Sequence, residues 1–595
     1  MSKHYTDVYD FIISSEAAYQ QPIQIGKKSW SMKDHIERSH LYRDSDIVGE
    51  KNKFTPIKNL TRPILNLQYR TEDLDVKDVN IYVDDKAKYH LSFLVKKYHD
   101  DVFVRENDLE TFFDTLNRSR IDYGAGLSKS LSEGRETVPL ESIAFCDQRD
   151  ILSRPIGLKH SYSPDELLKM SKVGWGDRKN GATCSLQDVI VLSRENQRDN
   201  ISEGDIEVYE VHGNFPKRFA NTSDDSGEYE ARIFICAFYQ KKDSDAKEGI
   251  ILYTKVETET PFKLIKRDPI YGRALGFGGA EELFEDQLWT NYAQIRKLQM
   301  MDSASKTILV TDDPNYANRN NTNNMENNEI TTIADGKTVQ QVDTFPRNFR
   351  LFDNFSVELE THAKNMGAAQ DPIQGAEPQS GTPFASLQMQ VQQGMGLHDY
   401  RRGQFAKHIE EIYTDDYIPM IVKKITQGQT FLSELSLEDM QYVTECLVRN
   451  AVNNFVKEKI LNGELINDEE VEALKESTAE EFKQKGNKHF IEILKGEFKN
   501  ASLAVKVSVA GKSKNLGKAM DVIVNVMRFA MSNPQGFMAV MQIPGMAASF
   551  NQVIEYAGLS PVDFSDIGKV QQQMAEQAQM QAQPSPLPAQ QPAMV

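Results

Sequence analysis

Residues 276–306 read GFGGAEELFEDQLWTNYAQIRKLQMMDSASK, and this stretch decides how the middle of the chain is interpreted. Its first residues are mostly glycine, acidic residues follow, and apolar residues then recur at spacings of three and four. That spacing predicts an amphipathic helix over Glu281–Ser305, and acidic first turns suit the positive end of the helix dipole. A helix of this length spans roughly 37 Å.

Two more predicted helices follow, separated from the first and from each other by polar or turn-rich segments. Apolar spacing predicts a second helix over Asn354–Met366 and a third, longer one over Phe384–Lys424. The asparagine-rich segment Asn318–Asn328 precedes the second helix, and Gln370–Thr382 precedes the third. The order is therefore helix, polar excursion, helix, loop, helix.

The apolar stripes of these helices are narrow, and the third helix contains several glycines. An interior glycine costs roughly 1 kcal/mol relative to alanine, so it is best explained by a bend or by close approach of another backbone. Two interpretations stay open: an ordinary helical hairpin packed on a β region, or helices that bury their stripes against copies of the same chain. The candidates for packing between subunits are Leu288, Tyr292, Ile295, Gly394, Gly396 and Gly403.

The rest of the chain mixes short helices and strands, so the predicted fold class is α+β. Residues 205–267 are the clearest β region, and short turn sequences between their β-branched runs predict an antiparallel meander. Ser163 before Pro164 predicts the capped start of a helix. Other predicted strands cover Ile64–Tyr69, Val79–Val83 and Ser502–Val509, and other predicted helices cover Ala87–His99, Asp108–Asn117 and Leu437–Leu461.

The two ends of the chain differ from its middle. Residues 1–60 are polar and predict an N-terminal arm, in which Val8–Tyr19 has helical spacing and the charge-rich stretch Ser29–Lys53 is expected to order only against a neighbour. Residues 515–570 predict short helices. Residues 571–595 are a Gln/Ala/Pro-rich tail that we expect to be disordered.

The net charge argues against a phosphate-binding protein, and the absence of catalytic motifs argues against an enzyme. The net charge is −18, and each bound phosphate needs a neutralising cation. The chain contains no HExxH, HxxEH or GxSxG motif, and Gly511-Lys512-Ser513 lacks the first glycine of a P-loop. The four cysteines form no CxxC pair, so neither a zinc site nor a disulfide framework is expected. We therefore expect no catalytic residue, cofactor or metal.

Neither a signal peptide nor a membrane span is expected. The first residues, MSKHYTDVYDF, lack a basic segment followed by an apolar run. No stretch of the chain has 18 consecutive apolar residues.

The order of segments and several short motifs resemble the portal (head-to-tail connector) proteins of tailed bacteriophages, in particular those of short-tailed and crAss-like phages. The residues that carry the resemblance are YGRALGFGGAEELF at 271–284, LWTNYA at 288–293, DSASK at 302–306 and PFASL at 383–387. The upstream strand sequence YEVHG at 209–213 is similar as well. The resemblance covers roughly residues 60–430.

The resemblance implies a portal fold and a division of the chain into functional parts. In order, these are an N-terminal arm (1–60), a wing (61–275), a first stem helix (276–306), a clip (307–347), a second stem helix (348–366), a channel loop (367–383), a long wing helix (384–430), completion of the wing (431–514), a helical crown (515–570) and the tail (571–595). It also implies a ring of about twelve copies at one capsid vertex, through which double-stranded DNA is packaged and ejected.

The resemblance also implies partners, a location and site residues. Partners would be the chain itself, double-stranded DNA, the major capsid protein, the packaging terminase and tail adaptor proteins, with no membrane; the location would be the virion, after assembly in the host cytoplasm. Candidates for the DNA channel are Asp371, Gln374, Glu377, Gln379, Glu358 and Glu360, and candidates for partner binding at the clip are Asp312, Asp313, Asn318, Asn320, Asn321, Asn323 and Asn324.

An acidic channel wall makes physical sense because DNA that must move quickly should be bound weakly at every point. Glu281, Glu282 and Glu285 are further candidates for such a wall, although each acidic residue is equally well explained as a dipole partner or a solvated surface charge. Two other classes stay open: another structural or adaptor protein of a virion, and a packaging enzyme that processes nucleic acid.

Overall fold

The structure is a computed structural model. It describes residues 7–44, 58–83, 89–196, 205–220, 227–240, 247–305, 308–320, 331–342, 349–369, 394–427, 437–463, 469–478 and 503–507, and single positions at 371, 373, 391, 467, 480 and 528. Residues up to Val507 form one compact unit and those from Ser508 onward another. The predicted crown and tail therefore lie outside the described residues, apart from position 528.

The fold of the first unit is α+β, as predicted, with helices packed on antiparallel sheets. The helices are α1 (Val8–Tyr19), α2 (Met32–Asp44), α3 (Thr61–Thr71), α4 (Tyr89–Tyr98), α5 (Val104–Glu106), α6 (Leu109–Tyr123), α7 (Pro164–Lys169), α8 (Leu186–Asn196), α9 (Gly279–Glu282), α10 (Phe284–Ser305), α11 (Tyr316–Arg319), α12 (Phe349–Met366), α13 (Gly396–Ile412), α14 (Ile418–Gln427) and α15 (Leu437–Leu461).

The strands make five separate sheets among the described residues. They are β1 (Ile23–Ile25), β2 (Lys28–Trp30), β3 (Val79–Val83), β4 (Ala125–Leu131), β5 (Gly134–Val138), β6 (Ile143–Phe145), β7 (Ile156–Tyr162), β8 (Ile206–Pro216), β9 (Tyr229–Gln240), β10 (Lys247–Val256), β11 (Phe262–Lys266), β12 (Ile308–Thr311), β13 (Val339–Val342) and β14 (Leu503–Val507). The largest sheet has the order β10-β9-β8-β7-β6.

The predicted meander is correct for three strands and wrong for the fourth. β8, β9 and β10 pair with their sequence neighbours in antiparallel fashion. β11 instead pairs with β4, in a second sheet of order β11-β4-β5. The turn sequence before β11 predicts a reversal of the chain but does not specify which strand edge receives it.

The N-terminal segment is part of the core, so the expectation that Ser29–Lys53 orders only against a neighbour is wrong for residues 29–44. Val8 and Ile12 on α1 and Met32 and Ile36 on α2 are buried against the large sheet. Each pair is spaced by four residues and so lies on one helix face. The helix predicted over Val8–Tyr19 is present, with Asp7 capping its first turn.

Residues 64–69 lie in helix α3, so the predicted strand there is wrong. Ile64, Leu65 and Gln68 are buried, and they share one face at helical spacing. Their neighbours are also partly apolar, which makes a short run ambiguous between strand and helix. The strand predicted over Val79–Val83 is present, and it pairs with β14. The helix predicted over Leu437–Leu461 and the Ser163 cap of α7 are also present.

The three central helices differ from prediction at their ends. The first is broken at Leu283 into α9 and α10, and Ala280 and Leu283 are both fully buried at this break. The second, α12, begins at Phe349, five residues earlier than predicted. The third is interrupted by a π-helical turn at Tyr413–Tyr417 between α13 and α14, and its predicted start at residues 384–390 lies outside the described residues.

Glycines before α9 allow three backbone segments to meet. The Gly276 amide donates to the Gly124 carbonyl at 3.1 Å, and the Phe277 amide donates to the Arg267 carbonyl at 2.9 Å. A Cβ atom at Gly276 would lie 1.7 Å from the Arg267 carbonyl oxygen, and one at Gly278 would lie 2.6 Å from that of Asp122. The glycines thus permit the close approach that fixes the origin of α9 and α10.

Replacing Gly276 by alanine is expected to lower the free energy of unfolding by about 1–3 kcal/mol, because backbone atoms cannot move aside as a side chain can. Gly396→Ala is the matched control, since a Cβ atom there meets nothing within 4 Å. It should leave stability unchanged or raise it by up to about 1 kcal/mol. Urea unfolding of both variants measures the difference, and equal stability of the Gly276 variant and the parent would contradict the expectation.

Candidate assembly site: the helical hairpin and its tip

α10 and α12 form an antiparallel pair that continues into the ribbon of β12 and β13. Asp286 contacts His362 at 2.8 Å, and Lys297 contacts Asp353 at 2.5 Å, farther from the start of α10. In the ribbon, Ile308 lies opposite Val342. In each of these pairs, the midpoint between the two residue numbers falls at 324 or 325. Helices and strands therefore share one register and form a single long hairpin.

The first turns of α10 bury polar side chains. Asp286, Gln287, Thr290 and Asn291 are all buried, and Gln287 is 1% exposed. The Gln287 Oε1 atom accepts the Leu60 amide at 2.7 Å, and its Nε2 atom donates to the Lys58 carbonyl at 2.9 Å. The glutamine thus satisfies backbone groups at the start of α3, which is why a polar face points inward here.

The opposite face of the same turns exposes large apolar side chains. Leu288, Trp289 and Tyr292 are 56%, 52% and 50% exposed, and we name these three residues the outer face of α10. The Trp289 and Tyr292 rings pack edge-to-face with their centroids 6.1 Å apart. A helix that faced only water on this side would carry the reverse arrangement. Contiguous exposed apolar surface of this kind makes the outer face of α10 a candidate interaction site.

Other candidates for subunit packing have mixed environments. Ile295 is half-buried, as are Gly394 and Gly403. Gly396 is exposed. α12 also presents exposed apolar side chains, namely Leu351, Phe355 and Val357. The structure brings Leu288 and Tyr292 to one surface, as their spacing predicted.

The tip of the hairpin is held by its own polar side chains. Asp313 is buried and accepts the Asn315 and Ala334 amides at 3.0 and 3.1 Å. The Asn320 side chain donates to the Thr332 carbonyl and accepts the Thr332 amide, at 2.9 and 2.8 Å. These interactions join the two sides of the tip.

These contacts correct part of the predicted clip site. Asp313 and Asn320 serve the internal structure, because their polar atoms are already satisfied within the tip. Asp312 accepts the Thr338 amide at 2.7 Å but keeps an exposed side chain, and Asn318 is exposed. Asn321, Asn323 and Asn324 lie outside the described residues.

The acidic channel candidates separate into paired and exposed groups. Glu360 pairs with Lys58 at 2.8 Å, which lowers the pKa of its carboxyl group, and Asp371 pairs with Lys364 at 2.9 Å. Glu358 is exposed. Gln374, Glu377 and Gln379 lie outside the described residues. The partner lysines reduce the negative charge that Glu360 and Asp371 present to solvent.

Two of the acidic residues proposed for a DNA-repelling wall form ion pairs within the chain, so the prediction that they belong to such a wall is wrong. Glu281 contacts Arg273 at 2.6 Å, and Glu282 contacts Arg401 at 2.6 Å. Glu282 is almost fully buried. Acidic residues at a helix start fit the dipole equally well when they also receive an arginine from another element.

A buried ion network lies beneath the base of the hairpin, and sequence reasoning missed it. The Glu72 carboxylate contacts Arg120 at 2.8 Å, Arg267 at 3.0 Å and His398 at 3.2 Å. All four side chains are at most 1% exposed. Burial raises the pKa of Glu72, but Arg267 and Arg120 outweigh it and hold that pKa well below its ordinary value. The partners are too distant in sequence for a local motif to reveal them.

Two other buried histidines make folding sensitive to acid. Burial, aided by Arg273, lowers the pKa of His35 to about 4 despite the nearby Glu281. Burial, aided by Arg135 and Lys263, lowers the pKa of His408 to about 4.

Stability is expected to fall as the pH drops from about 6.5 to about 4, because the unfolded chain binds protons at these histidines before the folded chain does. Each histidine contributes at most about 3 kcal/mol to this loss. Comparing urea unfolding at pH 7 and pH 4.5 measures it. His408→Gln should shrink the difference, because it removes one of the two buried imidazoles. Equal pH dependence of parent and His408 variant would refute the assignment.

No protein-family model matches the chain, and no curated protein matches it significantly. Within the described ranges, no three His, Cys, Asp or Glu side chains come together to hold a metal ion. None of the helices in those ranges is long and apolar enough to cross a membrane.

Proposed function

We propose that this chain is a portal subunit that assembles into a ring at one capsid vertex, through which double-stranded DNA enters and leaves. The observation that carries the proposal is the inverted first half of α10, which buries polar residues and exposes its outer face. Covering a half-exposed leucine, tryptophan and tyrosine removes large apolar area from water, at about 25 cal/mol per Å². A second copy of the chain is the occupant that the proposal assigns to this face.

A closed ring requires two different surfaces that fit each other, because each subunit touches one neighbour with each. The hairpin offers such a pair: the outer face of α10 and the exposed apolar residues of α12, Leu351, Phe355 and Val357. We assign α10 of one copy to α12 of the next. Because the hairpin has a single register from base to tip, this packing would place the tips side by side at one end of the ring.

The remaining parts of the proposal follow from charge and position. The net charge of −18 suits a conduit that DNA passes without being held. The channel loop, residues 367–383, would face DNA, and the tip would meet first the packaging terminase and then tail adaptor proteins. Asn318, Val310 and Ile333 are exposed at the tip and available to such partners. The wing would contact the major capsid protein in the virion.

Electron microscopy of the purified chain tests the proposal. Averaged top views should show rings with a central hole of DNA width. Monomers or small dimers at every concentration would overturn it.

A ring alone does not separate a portal from an adaptor of the same virion. Photocrosslinkers placed within 367–382 should capture DNA in filled particles if the chain is the portal. Crosslinks to protein alone would assign it to the adaptor class instead.

A further inference from the structure

The end of α12 is held from two sides by buried side chains. The chain leaves this helix through Gly367, Ala368 and Ala369, which we name the root. The Gly367 carbonyl accepts the Gln68 Nε2 atom at 3.2 Å, and the Ala368 carbonyl accepts the His398 Nε2 atom at 3.1 Å.

The root is also shaped for this position. Ala368 has a left-handed backbone, with φ +51°, which alanine adopts only when its surroundings impose it. A Cβ atom at Gly367 would lie 2.3 Å from the Ile64 side chain, and Ala369 is fully buried. The root is therefore packed against α3 and tied to α13.

His398 faces an acceptor with each of its ring nitrogens. Its Nδ1 atom lies 3.2 Å from a Glu72 carboxylate oxygen, while Nε2 lies against the Ala368 carbonyl. A neutral imidazole carries one N–H, and neither a carboxylate nor a carbonyl supplies a proton. Only the doubly protonated ring makes both hydrogen bonds.

We propose that charged His398, together with Gln68, is the clamp that positions the root, and that loss of the His398 proton releases the Ala368 carbonyl. A neutral ring would keep a single hydrogen bond, to either Glu72 or Ala368. The position of the root would therefore depend on whether His398, a single buried residue, is protonated.

The Glu72 carboxylate that His398 contacts belongs to a network of buried and half-buried charges. The network that includes Glu72 contains three acids and three arginines: Glu72 at the end of α3, Asp268 after β11, Glu282 on α9, Arg120 on α6, Arg267 after β11 and Arg401 on α13. These six charges balance, so the protonated ring adds one positive charge in excess. Among these charges, the Glu72 carboxylate is the one that contacts the ring directly.

The consequence for DNA passage rests on the proposed function. In that setting the root is where the second stem helix leads into the channel loop. The clamp would fix the direction in which the loop leaves the stem and would tie it to the long wing helix.

Hydrogen exchange measured by mass spectrometry tests the clamp on the full chain, whether ring or monomer. The peptide spanning residues 364–369 is compared at pH 5.5 and pH 8.5 after correction for intrinsic exchange, with β9 as the reference for global stability. We expect about tenfold weaker protection of the root at the higher pH, the effect of losing one hydrogen bond to a charged group.

Three variants sharpen the test. His398→Gln should show weak, pH-independent protection of the root. Gln68→Leu should weaken protection equally at both pH values, because the amide does not titrate. Glu358→Gln, on α12 but exposed, should behave like the parent.

The clamp is wrong if root protection in the parent does not change with pH, or if the His398 variant keeps the parent's pH dependence. If the His398 variant fails to fold, root protection in the parent and in the Gln68 variant still tests the proposed clamp. These results do not depend on ring formation, so failure of the clamp and failure of the portal proposal are distinguishable.

Discussion

Replacing Glu72 by glutamine is expected to lower the free energy of unfolding by about 3–5 kcal/mol, the largest effect on stability that we predict for any single substitution. Among the described residues, this carboxylate is the only one that contacts both Arg120 and Arg267. The amide keeps the shape of the side chain but removes its charge. The guanidinium groups, buried to at least 99%, would then face a neutral partner.

The expected loss reflects broken pairing, and it does not mean that the intact network is a net source of stability. Taking the ions out of water has a large cost, and several polar atoms of Arg267 and Arg401 have no hydrogen-bond partner within the described part of the chain. Removing one partner adds an uncompensated charge to that cost. Urea unfolding at pH 7 measures the change.

Glu358→Gln is the matched control, since this carboxylate is exposed on α12. It should change stability by no more than about 0.5 kcal/mol. A Glu72 variant within about 1 kcal/mol of the parent would show that the arginines find other partners.

Replacing Leu288 by glutamate is expected to weaken assembly at least about 100-fold while leaving the fold of the single chain intact. The side chain is 56% exposed, so the charge stays in water in the monomer and costs little. In the proposed ring the carboxylate would be buried against apolar side chains of α12, at a cost of several kcal/mol. Sedimentation velocity, or mass photometry across a dilution series, measures the shift.

Leu168→Glu provides the matched control, because this exposed leucine lies on α7, away from the hairpin. It should assemble like the parent. Normal rings formed by the Leu288 variant would remove the outer face of α10 from the interface. Loss of folding, seen by circular dichroism, would instead show that Leu288 supports the monomer.

Local sequence patterns predicted several elements well. Helical spacing identified α1 and α15, and alternating β-branched residues identified β3 and most of the large sheet. The Ser163 cap was also correct. These features depend on residues a few positions apart in the sequence, so a short window contains all the information needed to predict them.

Prediction failed where a distant segment supplied the partner. Glu282 has the same local context as a surface acid at a helix start, yet Arg401 and Arg267 enclose it. Asp313 belongs to a polar turn, yet it closes the tip onto Ala334. Burial of a polar residue depends on which elements pack above it, and no local pattern contains that information.

The stretch 276–306 shows both sides of this division. The sequence by itself determined that an amphipathic helix follows a cluster of glycines, because spacing and backbone freedom are local properties. Only the tertiary structure decided which face of that helix is inside. The polar face is buried because Gln287 satisfies backbone groups of the chain around α3, and an unpaired buried amide costs more than an exposed leucine.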